Sequence, residues 1–361
     1  MLIGPVRHDR PQRTPGRARS IGLSFQPCAS CQEQDVVKVL VTGATGFIGT
    51  EVARQLSARG MRPRLLVRRP SRGVLVSGLD ADVVYGDLRS PETLARAVDG
   101  CDAIIHLAGR ATFEPAARLA ATFIGGTRDL AHAAAAAGVP RFVFASSLLV
   151  HGDTDTPITT ETVPDPAVDY GRVKLLVEGR LAAFGAQQGM SVASLRLPHV
   201  YGATDQLFGR VRSGTIVLPG RDSKPYGHLH VVDAARALIA AAETGWEGAG
   251  ALADRDPAGW DDFIGFLRVQ LPDLRVLRAP AGLSRLGAGT LDLLTPSTRP
   301  SLYTADTVVS WNLSLPVDPD ALWPDLGIEP LVPTYREGIP RTLDDCVAFR
   351  WRHPVMDRRP A

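Results

Sequence analysis

Residues 42–49 of this chain read Thr-Gly-Ala-Thr-Gly-Phe-Ile-Gly. They follow the β-branched run VVKVLV at 36–41 and precede a helix-like stretch that extends to about residue 59. Gly43, Gly46 and Gly49 are spaced to make a tight turn, to let the backbone approach a pyrophosphate, and to pack a helix closely on a strand. No Gly-Lys-Ser/Thr follows, which excludes a P-loop. The stretch therefore predicts a turn that binds a dinucleotide.

Apolar runs alternate with helix-like stretches downstream of this turn. The runs begin near Arg64, Val83, Ala103 and Phe142, and each is a short continuous apolar segment. Strands with this pattern are buried on both faces, as in a parallel sheet covered by helices on both sides. The predicted fold class is α/β, with a doubly wound parallel sheet.

Composition narrows the class of protein. The chain has 361 residues, of which 45% are hydrophobic and 22% charged, and its net charge is +2. The near-zero charge gives no long-range attraction to nucleic acid or an anionic membrane. No apolar stretch of about 20 residues predicts a membrane span, and no apolar segment near the N-terminus indicates a secretory signal. We expect a cytoplasmic protein whose partner is a small-molecule substrate, with no nucleic acid and no membrane.

The chain divides into four predicted regions. Residues 1–35 are rich in Arg, Pro, Gly, Ser and Gln without apolar periodicity, which predicts a disordered basic extension. A transit-like leader and a start assigned too far upstream both remain open for it. An NAD(P)-binding domain is predicted at 36–200 and a substrate-binding domain, sharing some elements with the first, at 201–345. Residues 346–361 are predicted to form a tail.

No metal site is predicted. Cys28 and Cys31 have the spacing of half a zinc site or a redox pair, but no second Cys or His pair follows at zinc-finger distance and no strand pattern precedes them. They are interpreted as incidental thiols. His228 and His230 have no further ligand at suitable spacing and are interpreted as structural.

Asp233 is expected to cap the helix that begins there.

Tyr170 and Lys174 lie four residues apart in the stretch YGRVK. On a helix these positions share one face. A free tyrosine has a pKa of about 10, and an adjacent ammonium favours the phenolate, which brings that pKa towards neutrality. Ser147 ends an apolar strand and is expected to hold the reacting oxygen, while Lys174 is also expected to bind a nicotinamide ribose. A helical surface pair is the alternative interpretation of Tyr170 and Lys174.

The ends of the second and third strands bear on cofactor choice. Arg68 and Arg69 stand where an acidic residue would bind the ribose 2′-hydroxyl, and an arginine can bind a 2′-phosphate through a charge-assisted fork. We therefore predict NADP as cofactor, with NAD as the alternative; a solvated basic loop is the other interpretation of the two arginines. Asp87 is placed to accept from the adenine amino group, or alternatively to bond its own backbone in a turn.

These motifs together resemble the extended short-chain dehydrogenases/reductases, which include nucleotide-sugar epimerases, dehydratases, dihydroflavonol reductases and 3β-hydroxysteroid dehydrogenases. The resemblance covers residues from about 36 to about 345, and it rests on TGATGFIG (42–49), YGDL (85–88), IIHLAG (104–109), FVFASSLLVHG (142–152), YGRVK (170–174), RLPHVYG (196–202) and HVVDAARA (230–237).

The resemblance implies a Rossmann fold with a smaller C-terminal substrate domain, and catalytic roles for Ser147, Tyr170 and Lys174. Of the two adjacent serines, Ser147 is the one that matches the catalytic position. The sequence itself specifies no oligomeric state, although homodimers are common among chains of this resemblance. The residues predicted to contact the cofactor are Gly43, Thr45, Gly46, Phe47, Ile48, Gly49, Arg68, Arg69, Asp87, Leu88, Leu107, Ala108, Gly109, Tyr170, Lys174, Pro198 and Val200.

Two departures from the resemblance bear on function. Phe123 stands where the usual catalytic tetrad has an asparagine, which weakens the implied proton relay behind the lysine or means that another group supports it. Tyr226 stands where nucleotide-sugar enzymes tend to carry a diphosphate-binding arginine. Lys224, nearby, is a poorer bidentate partner than an arginine.

Three functions remain open. The first is hydride transfer between NADP(H) and a ketone or secondary alcohol of a small, fairly apolar metabolite. The second is a nucleotide-sugar epimerase or dehydratase that recycles NAD internally. The third is a cofactor-sensing module; such relatives often lose the Tyr/Lys pair, which is kept here. We favour the first.

Overall fold

The computed structural model describes residues 37–109, 113, 116–220, 224–280, 282 and 304–348. The predicted extension 1–35, the Cys28/Cys31 pair and most of the predicted tail lie outside the described residues.

Seven strands form a parallel sheet in the order β10-β6-β5-β4-β1-β2-β3. The strand order reverses between β1 and β4, which is the switch point at which doubly wound sheets bind ligands. The predicted doubly wound α/β class is confirmed. The strands are β1 (Val39–Thr42), β2 (Arg64–Val67), β3 (Asp82–Tyr85), β4 (Ala103–His106), β5 (Arg141–Ser147), β6 (Ser191–Leu197), β7 (His199–Tyr201), β8 (Thr215–Pro219), β9 (His228–His230), β10 (Gly248–Ala251) and β11 (Arg275–Ala279).

Helices follow most strands of the sheet. They are α1 (Phe47–Ala58), α2 (Pro91–Val98), α3 (Ala116–Ala120), α4 (Gly126–Ala136), α5 (Asp169–Gln188), α6 (Gln206–Val211), α7 (Val231–Thr244), α8 (Trp260–Gln270), α9 (Ala305–Trp311) and α10 (Tyr335–Ala348). Short 3₁₀ turns span Pro70–Val76 and Leu148–Val150, and a π-helical turn, Ala121–Gly125, joins α3 to α4.

The sheet is buried on both faces because its central strands carry continuous apolar runs. Leu40 and Ile104 point into one core with the helices α2, α4 and α5, whereas Val41 and Ile105 point into a second core with α1 and α7. Successive side chains of a strand alternate between faces, so a run without polar residues supplies both cores.

The later part of the chain adds two small parallel ribbons, β7 with β9 and β8 with β11. β10 and α7 also come after residue 200, yet β10 is hydrogen-bonded to β6 and α7 packs beside α1. The division at residue 200 stays a prediction. Among the described residues, no helix combines the length and the apolar character needed to cross a bilayer.

The start of α7 differs from the expectation for Asp233. His230 is the N-cap, and its Nδ1 accepts from the Val232 amide at 3.3 Å. Asp233 lies in the first turn, where its carboxylate accepts the amides of Leu331 and Val332 at 2.8 and 2.7 Å. The capping prediction was wrong because the fully buried carboxylate bonds a segment about a hundred residues further along the chain.

Candidate active site

A cleft of about 470 Å³ opens at the carboxyl ends of β1, β4, β5 and β6. It brings together twelve of the predicted site residues: Gly43, Gly46, Phe47, Ile48, Gly49, Leu107, Gly109, Ser147, Tyr170, Lys174, Pro198 and Val200. The remaining predicted residues do not line this cleft: Thr45, Arg68, Arg69, Asp87, Leu88 and Ala108.

Two glycines of the β1–α1 turn have no room for a side chain. Gly43 has φ +72°, and a Cβ there would lie 2.7 Å from the Leu107 carbonyl carbon. A Cβ on Gly49 would lie 2.1 Å from the Gly43 carbonyl oxygen. The first glycine therefore allows the close approach of two loops, and the second allows α1 to begin tightly against the turn.

The N-terminus of α1 is open to the cleft. Its N-cap, Gly46, has no side chain to cap the helix, and the first turn contains no acidic residue. The first backbone amides of a helix have no intrahelical acceptor and carry the positive end of the helix dipole. Because residues 46–49 line the cleft, this end of α1 fits the pyrophosphate of a dinucleotide.

A buried histidine, which sequence reasoning left without a role, holds the loops around this turn. His106 Nδ1 lies 2.6 Å from Thr42 Oγ1, and its Nε2 lies 2.9 Å from Thr127 Oγ1. The Ala108 amide donates to Thr42 Oγ1 at 3.3 Å. Burial lowers the pKa of His106 to about 3, so the ring is neutral at neutral pH. The network fixes residues 107–109 beside Gly43. In the sequence, the signal that could have indicated this role is that His106 is a single polar residue in an otherwise apolar strand.

The residues predicted to bind the adenosine end lie at the ends of β2 and β3. Arg68 and Arg69 are exposed. Asp87 Oδ1 accepts from the amide and the Nε of Arg89, at 3.0 and 3.1 Å. These hydrogen bonds, with the positive charges of Arg89 and Arg68, lower the pKa of Asp87. Asp87 thus makes the backbone turn that was the alternative interpretation, and its contact with adenine stays a prediction.

Ser147, Tyr170 and Lys174 meet at one end of the cleft. Ser147 ends β5, and its Oγ accepts from the Leu149 amide at 3.2 Å. Tyr170 is the second residue of α5 and Lys174 lies one turn later; both are buried. A Cβ on Gly171 would lie 1.8 Å from the Leu149 carbonyl oxygen. Because Gly171 has no side chain, the start of α5 packs against the turn after Ser147. This packing places Tyr170 beside the carboxyl end of β5, where Ser147 lies.

The two ionisable groups differ from the expected electrostatics. Burial lowers the pKa of Lys174 to about 7, and burial raises the pKa of Tyr170. The Lys174 amine lies 5.7 Å from the Tyr170 ring centre and donates instead to the Ala145 carbonyl at 2.7 Å. The expectation that the ammonium lowers the Tyr170 pKa is therefore wrong for this arrangement, because loss of solvent dominates at both groups.

A buried ion pair lies one helical turn beyond Lys174. Arg196 Nη2 contacts Glu178 Oε2 at 2.9 Å, and Arg196 Nη1 lies 3.3 Å from His151 Nε2. The Glu178 charge opposes the fall in the Lys174 pKa. Burial and the Arg196 charge lower the pKa of His151 to about 4.

Aromatic residues from distant segments also line the cleft. The Trp260 and Trp311 rings stack with their centroids 3.9 Å apart, and Tyr226 lies 5.3 Å from Trp260. His199 lies 4.6 Å from Trp260, and burial lowers its pKa to about 3, so it too is neutral. We call Tyr226, Trp260, Trp311 and His199 the aromatic wall. Sequence reasoning did not find it, because four separate segments supply its members.

His199 Nδ1 lies 3.1 Å from His228 Nδ1, and His228 also stacks on Phe263. Within the described ranges, no group of three or more His, Cys, Asp or Glu side chains is arranged to hold a metal ion.

Known proteins resemble this chain in sequence. A 3β-hydroxysteroid dehydrogenase/Δ5→4-isomerase of Mycobacterium tuberculosis is 34% identical over 223 residues, covering 57% of this chain and 60% of the relative. A ceramide reductase of Caulobacter vibrioides is 31% identical over 259 residues, 69% of this chain and 76% of the relative. The alignments with the two similar hydroxysteroid dehydrogenases, from Mycobacterium tuberculosis and Mycolicibacterium neoaurum, span 60% and 62% of those proteins.

Solved structures share the fold. UDP-glucose 4-epimerase of Thermotoga maritima superposes with a TM-score of 0.71 at 22% identity, covering 87% of this chain and all of that one. MoeE5 in complex with UDP-glucuronic acid and NAD gives a TM-score of 0.69 at 25% identity, covering 87% of this chain and 99% of that one. The family model described as the NAD dependent epimerase/dehydratase family matches residues 39–250, more than half of the sequence. With its glycine turn, its cleft and its seven-stranded sheet, the chain belongs to the NAD-dependent epimerase/dehydratase family.

Proposed function

We propose that this protein is an oxidoreductase of the extended short-chain dehydrogenase type, which reduces a ketone of a small apolar molecule, or oxidises the corresponding secondary alcohol, with NADP(H). The observation that carries the proposal is the shared cleft: the uncapped N-terminus of α1 and the Ser147, Tyr170 and Lys174 side chains line one cavity.

The dinucleotide would be held by the glycine turn and the loops beside it. Residues 43–49 would receive the pyrophosphate at the start of α1, Leu107 and Gly109 would contact the cofactor next to this turn, and Pro198 and Val200 would lie beside the nicotinamide. The bound nicotinamide would supply the carbon that gives or takes a hydride. In this arrangement residues 36–200 would provide the cofactor side of the cleft with the catalytic side chains, and residues 201–345, together with His199, would provide most of the substrate side.

Tyr170 would transfer the proton at the substrate oxygen, and Ser147 would hold that oxygen. Burial raises the pKa of Tyr170, so its hydroxyl carries the proton at neutral pH. In the reductive direction this hydroxyl would give its proton to the substrate oxygen, and in the oxidative direction the phenolate would take the proton back. Lys174 would contact the nicotinamide ribose and hold positive charge near the reacting oxygen.

The aromatic wall supports an apolar substrate. Tyr226, Trp260 and Trp311 offer ring faces, and His199 is a neutral polar group among them. Such walls bind apolar ligands and fix them with few polar contacts. The names of two relatives, a hydroxysteroid dehydrogenase and a ceramide reductase, are in line with this substrate class.

The preference for NADP rests on Arg68 and Arg69. Both are exposed at the end of β2, where their guanidinium groups are free of the core and can reach a 2′-phosphate. A solved structure of 25% identity holds NAD, which supports the alternative cofactor.

A nucleotide-sugar epimerase or dehydratase with internally recycled NAD is the second candidate. The fold neighbours named as UDP-glucose 4-epimerase and the complex with UDP-glucuronic acid favour it. Against it, Tyr226 brings an uncharged ring into the cleft, whereas an arginine would bind a diphosphate.

The deciding experiment is to denature purified protein and to identify and quantify the released nicotinamide nucleotide by chromatography. Protein that carries no nucleotide and then binds NADPH more tightly than NADH supports the reductase. Near-stoichiometric bound NAD contradicts it and supports recycling in place. Tyr170→Phe provides the catalytic control: turnover should be abolished with cofactor affinity intact, and unchanged turnover would refute the role of Tyr170.

A further inference from the structure

Lys174 lies in a box of aromatic rings. Its Nζ is 4.2 Å from the Phe123 ring centre and 4.4 Å from the Phe144 ring centre, and it donates to the Ala145 carbonyl at 2.7 Å. We call Phe123, Phe144 and the Ala145 carbonyl the lysine box. Lys174 is only 5% exposed. The box therefore replaces most of the water that its ammonium group would otherwise bind.

Phe123 is the aromatic member of the box that also lines the cleft. It lies in the π-helical turn 121–125, a rare geometry that is frequent at functional sites. A Cβ on residue 109 would lie 2.1 Å from Phe123 Cε1, so the ring occupies space that Gly109 leaves open. Phe123 also makes an edge contact with Tyr170, with centroids 5.9 Å apart.

We propose that Phe123 is a positioning residue for Lys174: its ring face stabilises the protonated amine and keeps that amine against the Ala145 carbonyl, beside Tyr170. The proposal rests on the proposed function for its catalytic meaning. The interaction of a cation with a ring face is stronger where water is excluded, which is the condition in this box. Phe123 thus replaces part of the solvation that burial removes, without adding a group that could compete for the proton.

Charged and titratable groups from each neighbouring element also face this amine. Glu178 is one turn further along α5, and Arg196 of β6 neutralises it. His106 of β4 is close enough for the Lys174 charge to lower its pKa, in addition to burial. Tyr170 completes the set on α5. A substitution at Phe123 leaves Glu178, Arg196 and His106 in place. It removes an edge contact with Tyr170, and the Phe113 variant removes a similar one, so a change in Lys174 titration found only at Phe123 reports on the ring face.

The chain offers a direct measurement because it contains only three lysines, Lys38, Lys174 and Lys224. Lysine labelled with ¹³C at Cε gives three NMR signals whose shifts follow protonation of each amine. Lys174→Met identifies the Lys174 signal by removing it. The titration midpoint of Lys174 is then compared in the full-length wild type, in Phe123→Leu and in Phe113→Leu.

Phe113 provides the matched control. Its ring makes an edge contact with Tyr170 at 6.1 Å, much like that of Phe123, whereas the rings around the Lys174 amine are those of Phe123, Phe144 and Tyr170. We expect the Lys174 midpoint to fall by roughly 1 pH unit in Phe123→Leu, since an apolar side chain keeps water out but offers no ring face. Phe113→Leu should leave the midpoint unchanged.

Three results would overturn the proposal: an unchanged Lys174 midpoint in Phe123→Leu, an equal shift in both variants, or a rise of the midpoint in Phe123→Leu. A rise would mean that the ring acts by excluding water. If Phe123→Leu does not fold, Phe123→Met tests the same point. The alkaline limb of kcat/KM should move with the NMR midpoint. Wild-type protein without redox turnover would contradict the proposed function, whereas the titration would still test the role of Phe123.

Discussion

Arg196 and Glu178 form a buried ion pair, with Nη2 and Oε2 2.9 Å apart and both side chains at most 7% exposed. The carboxylate comes from α5, four residues after Lys174, and the guanidinium comes from β6. The pair therefore joins the helix that carries Tyr170 and Lys174 to the strand that precedes Pro198. Removing one partner leaves an uncompensated buried charge, which costs far more than replacing both.

We expect Arg196→Met to lower the free energy of unfolding by about 3–5 kcal/mol, and the double variant Arg196→Met/Glu178→Met to lose clearly less. Urea denaturation at neutral pH measures both. A double variant as unstable as the single one would show that the ion pair is not the source of the loss.

Lys174 should make stability depend on pH in a definite direction. Its pKa is about 7 in the folded protein, below the ordinary 10.5. Between these two pH values the unfolded chain binds more protons than the folded protein does. The contribution of Lys174 to the free energy of unfolding therefore rises with pH, and it is least favourable below about pH 7. Relative to Lys174→Met, the wild type should gain on the order of 3 kcal/mol from about pH 6.5 to about pH 9.5. Denaturation curves at both pH values check this; parallel pH profiles would contradict it.

Gly43→Ala should destabilise the protein and weaken nucleotide binding. Gly138 is the matched control, because it has φ +70° and nothing within 4 Å of an added Cβ, whereas Gly43 at φ +72° would meet Leu107. Gly138→Ala should cost about 1 kcal/mol from backbone conformation alone. Gly43→Ala should cost roughly 1–3 kcal/mol more from overpacking. Equal losses in thermal or chemical denaturation would mean that the close approach of the two loops relaxes without cost.

Arg68→Ala should weaken NADPH binding at least roughly tenfold and leave NADH binding nearly unchanged, because only the 2′-phosphate uses the charge-assisted fork. Fluorescence titration with each nucleotide measures this. Arg72→Ala serves as the control, because it removes another arginine four residues further along the chain. Equal losses for both nucleotides would remove the argument for NADP.

Local pattern was enough to predict the parallel sheet and the turn at 42–49. The apolar runs that become β1 and β4 are buried on both faces, and a strand–glycine–helix order leaves few other geometries. The cleft also contains Ser147, Tyr170 and Lys174 together, because the start of α5 packs at Gly171 against the turn that follows Ser147.

Other parts of the site depend on contacts that the sequence does not encode locally. The rings of Trp260 and Trp311 stack although the two residues are 51 positions apart in the sequence. The pKa of Tyr170 is raised because the side chain is buried, and a spacing rule does not predict burial. Likewise, Phe123 could be recognised as a departure from the usual motif, but only the structure shows its ring against the Lys174 amine.

The space that Phe123 takes beside Gly109 has a consequence for how this sequence can change over evolution. Any side chain at 109 would collide with the ring, so the two positions are expected to vary together. A chain with alanine or a larger residue at 109 should carry a smaller residue at 123. A library randomised at both sites and selected for folding would show this as a coupled pair, with phenylalanine at 123 found together with glycine at 109.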